Sequence, residues 1–126
     1  MELDKLYKCL CDPQRLRILN LLKHGPLCVC HLQEILDETQ VKTSKQLQYM
    51  KKLGFVVARR EGIWMVYSLP APSHPLLLVN LDCLLERSGE FPSFAEDLKK
   101  RSAILQRFAD NRTECPRVVY QATDCC

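Results

Sequence analysis

The chain has 126 residues, 47% of them hydrophobic and 26% charged, which predicts one folded domain with its own core rather than a disordered chain. It has neither an apolar run of 18 residues nor an apolar segment near the amino terminus, so we expect no membrane-spanning helix and no secretory signal. In the cytoplasmic location that this predicts, the eight cysteines indicate metal binding or redox chemistry instead of a disulfide framework, and the net charge is only +3.

Two helices are predicted at the start of the chain. The first is short and amphipathic, because apolar residues recur at helical spacing: Leu3, Leu6, Tyr7 and Leu10. Asp12 and Pro13 are typical of an N-cap and a first-turn proline, so they predict the start of the second helix. Gly25 and Pro26 predict its end.

A third and a fourth helix follow. The third is predicted from about Val29 to Leu36, and a turn at residues 37–40 leads to the fourth. The fourth runs from Val41 to Leu53, with Gly54 placed to end it. Its apolar residues form one narrow stripe, Leu47, Met50 and Leu53, so we expect the remaining surface to be exposed and basic.

A β-hairpin is predicted next, because FVVARR and WMVYSL are rich in β-formers and flank Glu61-Gly62-Ile63. Positive charge is concentrated in the fourth helix and this hairpin. Residues 40–63 carry +5 and the rest of the chain −2, with the bases at Lys42, Lys45, Lys51, Lys52, Arg59 and Arg60. Such a local excess is typical of a surface that binds a polyanion.

The C-terminal part of the chain predicts two more helices and a tail. From Pro75 to about Arg87 the sequence is apolar nearly all round, which indicates burial against a second subunit. Ser93-x-x-Glu96 predicts a capping box for the last helix, whose apolar stripe is Phe94, Leu98, Leu105 and Phe108. We therefore expect a folded domain over residues 1–110 and a flexible cysteine-containing tail over residues 111–126.

A helix, a turn, a basic helix and a hairpin with bases near its tip form a unit that can bind DNA. The fourth helix can lie in a major groove, where Gln46 and Gln48 can read base edges, and the hairpin can reach the flanking backbone or minor groove. The predicted DNA contacts are Gln40, Lys42, Thr43, Ser44, Lys45, Gln46, Lys51, Arg59 and Arg60. The alternative interpretation is a solvated basic helix without a partner.

From about Leu6 to Leu69 the chain resembles the ArsR/SmtB family of winged-helix transcriptional regulators, in particular the arsenical-resistance repressors. The motifs that carry the resemblance are DPxRLxIL, LCVCxL, QVKTSKQLQYMKKLGF and REGIWMVYSL. The resemblance implies a mainly α-helical winged helix-turn-helix with a β-hairpin wing, a homodimer through the terminal helices, and double-stranded operator DNA as partner. No CxxC motif and no phosphate loop occurs, so we expect no enzyme.

Cys28 and Cys30 lie one residue apart at the predicted start of the third helix. Their spacing is poor for a disulfide, whereas a helix N-terminus favours the thiolate form and thiolates select soft ions. In the family this CVC element senses the inducer, which implies trivalent arsenic or antimony held by thiolates. Binding would unwind the start of the third helix and move the fourth, and the repressor of a metalloid-resistance operon would leave its operator.

Both the existence and the source of a third ligand stay open at this point, because the site can also be two-coordinate. His31 stands where the family commonly has Asp, and we expect it to be a polar helix residue. Cys9 and Cys11 are either ligands or, on an apolar helix, buried cysteines. The tail cysteines can complete the CVC site or form a separate one: Cys115, Cys125 and Cys126.

Two further expectations concern the terminal helices and the kind of signal. Cys83 is expected in the core, and because residues 75–110 contain no histidine we predict no zinc site on the terminal helices. A thiol redox or persulfide-responsive repressor of the same fold is the alternative function, in which Cys28 or Cys30 pairs with the tail.

Overall fold

The computed structural model describes residues 2–110, which form six α-helices, one three-stranded sheet and one short 3₁₀ turn. The helices are α1 Leu3–Leu10, α2 Pro13–Lys23, α3 Val29–Leu36, α4 Gln40–Lys52, α5 Pro75–Glu86 and α6 Pro92–Asp110. The strands are β1 Leu27–Cys28, β2 Val57–Glu61 and β3 Trp64–Ser68, and the 3₁₀ turn is Ser88–Glu90. Within this part of the chain, none of the helices is long and apolar enough to cross a membrane.

Asp12 fixes the joint between α1 and α2. Its Oδ1 accepts hydrogen bonds from the backbone N–H groups of Gln14 at 2.8 Å and Arg15 at 3.4 Å, which confirms the predicted N-cap. The Arg15 side chain donates hydrogen bonds to the carbonyl oxygens of Lys8 and Cys9, both at 3.0 Å. It therefore provides partners for two carbonyl groups at the C-terminal end of α1, which have no partner within the helix. The first two helices therefore meet at a hydrogen-bonded corner.

The helix-turn-helix consists of α3, a three-residue turn and α4. Asp37 ends α3 in the left-handed conformation, with φ of 52°, and the Thr39 hydroxyl accepts from Lys42 N–H at 3.2 Å, so α4 begins one residue earlier than predicted. Gly54, with φ of 84°, ends α4, and the N–H of buried Phe55 reaches the Met50 carbonyl at 2.9 Å. These bonds form a Schellman motif, so the predicted glycine stop is confirmed.

The sheet contains one strand more than the predicted hairpin. Strands β2 and β3 pair around the Gly62-Ile63 turn, as predicted, and β1 pairs antiparallel with β3 in the order β1-β3-β2. Cys28 lies opposite Val66 in this register. The first cysteine of the CVC element is therefore part of the wing sheet as well as the N-cap of α3.

The core draws on all six helices and the sheet, with fully buried side chains that include Leu6, Leu19, Leu32, Leu47 and Leu81. Helix α6 packs against α2 and α3. Two hydrogen bonds of 2.8 and 2.7 Å from the Arg17 guanidinium to the Asp97 carboxylate fasten it, and Asp97 is 1% exposed. The last helix is thus part of the same folded unit as the helix-turn-helix.

Two predictions for the terminal helices are wrong. Helix α6 begins at Pro92, so Ser93 lies inside the first turn and is not the N-cap; proline suits the first helical position because that N–H has no intrahelical partner. Cys83 is exposed instead of buried, because the face of α5 that carries it points away from the core. Of the predicted α6 stripe, Phe94 is buried, Leu98 and Leu105 pack against the core, and the Phe108 side chain lies outside the described residues.

Candidate functional site: a basic helix-turn-helix joined to a cysteine-histidine cluster

The outer surface of α4 carries most of the predicted DNA contacts. Gln40, Lys42, Lys45 and Lys51 are exposed and Ser44 is half-buried. Thr43 is 1% exposed because it lies on the same stripe as Leu47 and Met50, so the prediction that it contacts DNA is corrected. Three further exposed residues share the face of Lys45 at helical spacing: Gln48, which the sequence analysis already assigned to base reading, Lys52, which it counted among the bases, and Val41, which it did not consider as a contact.

Gln46 is engaged within the chain. Its Oε1 accepts from Arg15 Nη1 and its Nε2 donates to Asp12 Oδ2, each at 3.1 Å. The Arg15 guanidinium also lies 4.4 Å from the centre of the Tyr49 ring, a cation–π distance. Gln46 and Tyr49 therefore hold the middle of α4 against the corner between α1 and α2.

This corner also changes the ionisation of Asp12. Its partial burial by itself would raise the pKa, but hydrogen bonds from the Gln46 amide and from the N–H groups of Gln14 and Arg15, with the nearby Arg15 charge, lower the pKa below its ordinary value of 3.8. The carboxylate form is thus the one that the fold stabilises.

The wing presents its two arginines on opposite faces. Side chains alternate along a strand, so Arg59 shares a face with Glu61, and the two form an ion pair of 3.2 Å. Arg60 points to the other face, and both arginines are exposed. The two arginines therefore cannot both contact DNA from the same face of the wing.

Cys28, Cys30 and His31 form a cluster at the junction of β1 and α3. Their ligand atoms all lie within 4.8 Å of one another, and in residues 2–110 this is the one group of three such side chains close enough to hold a metal ion. Cys28 is fully buried, His31 is 2% exposed and Cys30 is half-buried. Trp64 and Val66 of β3 pack against the two cysteines.

The cluster lies in line with the wing. Cys28, Val66 and Arg59 are register partners on β1, β3 and β2, so their side chains share one face of the sheet. Strands lie about 4.8 Å apart, which puts the Cys28 backbone about 10 Å from that of Arg59. The opposite face carries Leu27 and Tyr67, both buried in the main core.

Helix α3 is also tied to the last helix. The Arg107 guanidinium donates to both oxygens of Glu34, at 2.9 and 3.0 Å, and Glu34 lies one turn after Cys30. The hydrogen bonds from Arg107 lower the pKa of the Glu34 carboxyl. Helix α3 is therefore in contact with both the wing sheet and α6.

The remaining cysteines lie apart from the cluster or outside the described residues. Cys9 is buried in the core, and this burial raises the pKa of its thiol, whereas Cys11 is exposed at the end of α1. Neither belongs to the group around Cys28. The tail thiols Cys115, Cys125 and Cys126 lie outside the described residues, so their participation stays a prediction.

Comparison with known proteins identifies the family. The profile of the family described as "Bacterial regulatory protein, arsR family" matches residues 12–57. The arsenical resistance operon repressor of Bacillus subtilis is 33% identical over 89 residues, which is 69% of this chain and 85% of that protein. This chain belongs to the ArsR family. The family consists of regulatory proteins, not enzymes, and the chain spans between 52% and 85% of the length of the curated relatives compared.

Solved structures confirm the fold. The homodimeric winged helix-turn-helix DNA-binding domain Mb0332 of Mycobacterium bovis is 26% identical, with a TM-score of 0.57 over 70% of this chain and 79% of that one. The AntR antimony-specific transcriptional repressor is 30% identical, with a TM-score of 0.56 over 68% of this chain and 78% of that one. The fold of this ArsR-family chain is a winged helix-turn-helix, mainly helical with a β-hairpin wing, as the sequence predicts.

Proposed function

We propose that this chain is a cytoplasmic, homodimeric repressor of a metalloid-resistance operon, which leaves its operator when trivalent arsenic or antimony binds Cys28 and Cys30. The observation that carries the proposal is the position of these two sulfurs. Cys28 belongs to the wing sheet and Cys30 to the first turn of the helix-turn-helix. An ion that binds both sulfurs directly changes the orientation of the wing relative to the helix-turn-helix, the two DNA-binding elements.

The proposed DNA surface is the outer face of α4 together with the wing. Lys42, Lys45 and Lys51 contact phosphates or base edges, and Gln40 and Ser44 lie beside them. The exposed Gln48 reads bases, whereas Gln46, whose amide is bonded to Asp12 and Arg15, positions the helix. Arg59 and Arg60 contact the flanking backbone.

The proposed dimer forms through α1 and α5. These helices expose large apolar side chains, among them Leu3, Tyr7 and Val79, and Val79 is 63% exposed. A cleft of about 420 Å³ between them is lined by Tyr7, Leu10, Cys83 and Phe91, among others. Apolar surface on adjoining helices is typical of a subunit contact, and two copies present two α4 helices to consecutive major grooves about 34–36 Å apart.

Release requires a sufficient preference of the ion for the released state. Moving the protein from nearly all bound to nearly all free takes a differential affinity of about 5.5 kcal/mol. Each As–S bond forms as a thiol displaces hydroxide from arsenite and water leaves. Because As(III) takes three sulfurs, we propose that Cys115, Cys125 or Cys126 supplies the third.

Fluorescence anisotropy of a labelled operator duplex, selected from a random library by the full-length protein, tests this function. Arsenite or antimonite should release the wild type and leave Cys28→Ser/Cys30→Ser bound, while Cys11→Ser, an exposed thiol outside the cluster, should respond like the wild type. Release that survives the double substitution contradicts the assignment of the sensor. Lys51→Gln should reduce the slope of the logarithm of the binding constant against the logarithm of the salt concentration by about one in magnitude. Lys99→Gln on α6, outside the proposed surface, should leave this slope unchanged.

The alternative is a repressor whose thiols respond to oxidant or persulfide. The half-buried Cys30 is the thiol of the cluster that a reagent reaches most directly. Release by peroxide or a polysulfide, reversed by dithiothreitol and absent with arsenite, would favour it over metalloid sensing.

A further inference from the structure

We propose that a cleft between α2 and α4 binds an organic anion, a carboxylate carried on an aromatic ring system, and that this ligand competes with DNA for the basic face of α4. The competition rests on the proposed function, because it requires α4 to bind DNA. The binding of the anion does not, since neither cysteine of the CVC element lines the cleft.

The cleft lies where the N-terminal half of α2 meets α4 and the turn that joins α3 to α4. Its volume of about 370 Å³ falls within the range of about 300–1,000 Å³ that small-molecule sites occupy. The apolar part of its lining comes from Ile18 and Leu36, both buried, and from Tyr49, which is 37% exposed. A concave site lined in this way favours a ligand with an apolar body.

The charged side chains that line the cleft are three cations and one carboxylate: Arg15, Lys42, Lys45 and Glu38. The carboxylate is already engaged, because Glu38 Oε1 accepts the N–H of Thr39 at 2.9 Å and lies 4.0 Å from Lys42 Nζ. Lys45 is exposed and has no acidic partner within residues 2–110. An excess of positive charge beside an apolar cleft selects a ligand that carries negative charge.

Arg15 is a cation whose position is already fixed. Its guanidinium donates hydrogen bonds to the carbonyl oxygens of Lys8 and Cys9 and to Gln46 Oε1, and it lies 4.4 Å from the centre of the Tyr49 ring. A side chain held in this way loses little conformational entropy when a ligand binds. Because a guanidinium and a tyrosine ring both stack on planar groups, the cleft favours an aromatic ring over an aliphatic chain.

Thr43 provides an observation that is independent of charge. This residue lines the cleft and is 1% exposed, and its Oγ1 has no hydrogen-bond partner in the described part of the chain. A buried hydroxyl without a partner is unfavourable and uncommon. Threonine in a helix divides between two χ1 rotamers, so rotation about χ1 can turn the hydroxyl towards a carboxylate in the cleft. The Thr43 hydroxyl is therefore the expected donor to the bound anion.

The position of the cleft makes the ligand a competitor of DNA. Lys42 and Lys45 line the cleft and are also proposed contacts of the operator. A carboxylate bound beside them neutralises charge that would otherwise meet phosphates, so the anion lowers the affinity for DNA. By linkage, DNA lowers the affinity for the anion by the same factor.

The probe is 2-naphthoate, with neutral 2-naphthamide as its matched control and inorganic phosphate as a test of simple charge attraction. Added to ¹⁵N-labelled full-length protein without DNA, 2-naphthoate should bind with a Kd below about 1 mM. The amide signals that it shifts should include those of Thr43 and Tyr49. The naphthamide and phosphate should each bind more weakly by about tenfold or more. Equal binding of either control, or shifts centred on the cleft between α1 and α5, would overturn the proposal.

Two variants test the two polar contacts separately. Thr43→Val keeps the shape of the side chain and removes a hydroxyl that has no partner, so it should be as stable as the wild type in urea yet bind 2-naphthoate about fivefold more weakly. Lys45→Gln should also weaken binding about fivefold. Lys51→Gln removes the same charge from the same helix outside the cleft and should bind 2-naphthoate like the wild type. Unchanged affinity in either of the first two variants would overturn the site.

Fluorescence anisotropy of the operator duplex tests the competition and separates this inference from the proposed function. The apparent Kd for DNA should rise with the occupancy of 2-naphthoate and should not respond to 2-naphthamide. If both ligands bind together without mutual effect, the competition is wrong. Wild type that binds 2-naphthoate in the cleft but no DNA keeps the site and defeats the proposed function. Wild type that leaves its operator with arsenite but does not bind 2-naphthoate defeats this inference alone.

Discussion

Replacing Asp97 by Asn tests whether α6 is held against α2 as the structure shows. Arg17 donates hydrogen bonds of 2.7 and 2.8 Å to this carboxylate, which is 1% exposed. Asn keeps the size of the side chain and one acceptor oxygen, but it removes the charge and turns an N–H donor towards the guanidinium. The variant therefore loses one charge-assisted hydrogen bond and leaves part of the Arg17 charge uncompensated.

The magnitude follows from the burial of each partner. Breaking a buried ion pair typically costs about 3–5 kcal/mol, and one charge-assisted hydrogen bond contributes about 1.5–3 kcal/mol. Because the Arg17 side chain is 22% exposed and water solvates part of it, we expect a loss of about 3 kcal/mol in the free energy of unfolding. For a chain of this size, the Tm should fall by about 9–15 °C.

Glu34 and Arg107 provide the matched control. Their geometry is the same, with hydrogen bonds of 2.9 and 3.0 Å, but the side chains are 49% and 43% exposed. Glu34→Gln makes the same carboxylate-to-amide change and should cost less than about 1 kcal/mol. Guanidinium unfolding compares the variants at one protein concentration, because association makes apparent stability depend on concentration.

Equal losses for the two variants would refute the reasoning, since burial is the difference on which it depends. They would mean that α6 does not pack on α2 in solution as it does in the structure. The effect of Glu34→Gln on the Tm should also disappear in 1 M salt, where the Debye length is about 3 Å, while that of Asp97→Asn should persist. A salt-sensitive effect at Asp97 would contradict its buried position.

Three further predictions concern single side chains. Since burial raises the pKa of the Cys9 thiol, iodoacetamide should label exposed Cys11 at least tenfold faster, and equal rates in peptide mass spectrometry would contradict this placement. The lowered pKa of Asp12 stabilises the fold above its ordinary value of 3.8, and this contribution is lost as pH falls through the folded pKa. Asp12→Asn should therefore destabilise the protein at pH 7 but not below both the folded and the unfolded pKa of Asp12. If urea unfolding shows the same difference in stability between variant and wild type at every pH, the lowered pKa is contradicted. A Cβ added in Gly54→Ala meets no atom within 4 Å, so only the strain of the left-handed backbone should lower the free energy of unfolding, by about 1–2 kcal/mol in urea. An unchanged free energy of unfolding would contradict the Schellman motif at the end of α4.

Local signals account for the helix boundaries that sequence reasoning predicted. Asp12 and Gly54 act on neighbouring backbone groups, so their roles follow from two or three adjacent residues. The CVC element is equally local, because the N-cap position alone brings Cys28 towards the first turn of α3. The family, the fold and the closeness of Cys28 and Cys30 were predictable for this reason.

The features that sequence reasoning missed depend on partners far along the chain. β1 has two residues and exists only because β3, almost 40 residues later, lies beside it. Gln46 looks like a base-reading residue until Asp12 and Arg15, over 30 residues earlier, are placed against it. Cys83 follows an apolar pattern, yet whether that face of α5 meets the core or a second chain is a property of the assembly.

The proposed role of the CVC spacing depends on strand β1, which the sequence analysis did not predict. If both sulfurs lay on α3, an ion bridging them would strain that helix alone, and α4 would feel it only through the turn at Asp37. Because Cys28 pairs with Val66 in the sheet, an ion bound to both sulfurs would instead span two elements, and under the proposed function its preferred geometry would set the angle between wing and helix. Arg59, one strand beyond Val66, moves with the sheet, and the basic face of α4 moves with the helix-turn-helix. A change of this angle would therefore weaken both proposed DNA contacts at once, and the proposed ion binding would in this way supply the several kcal/mol that release requires.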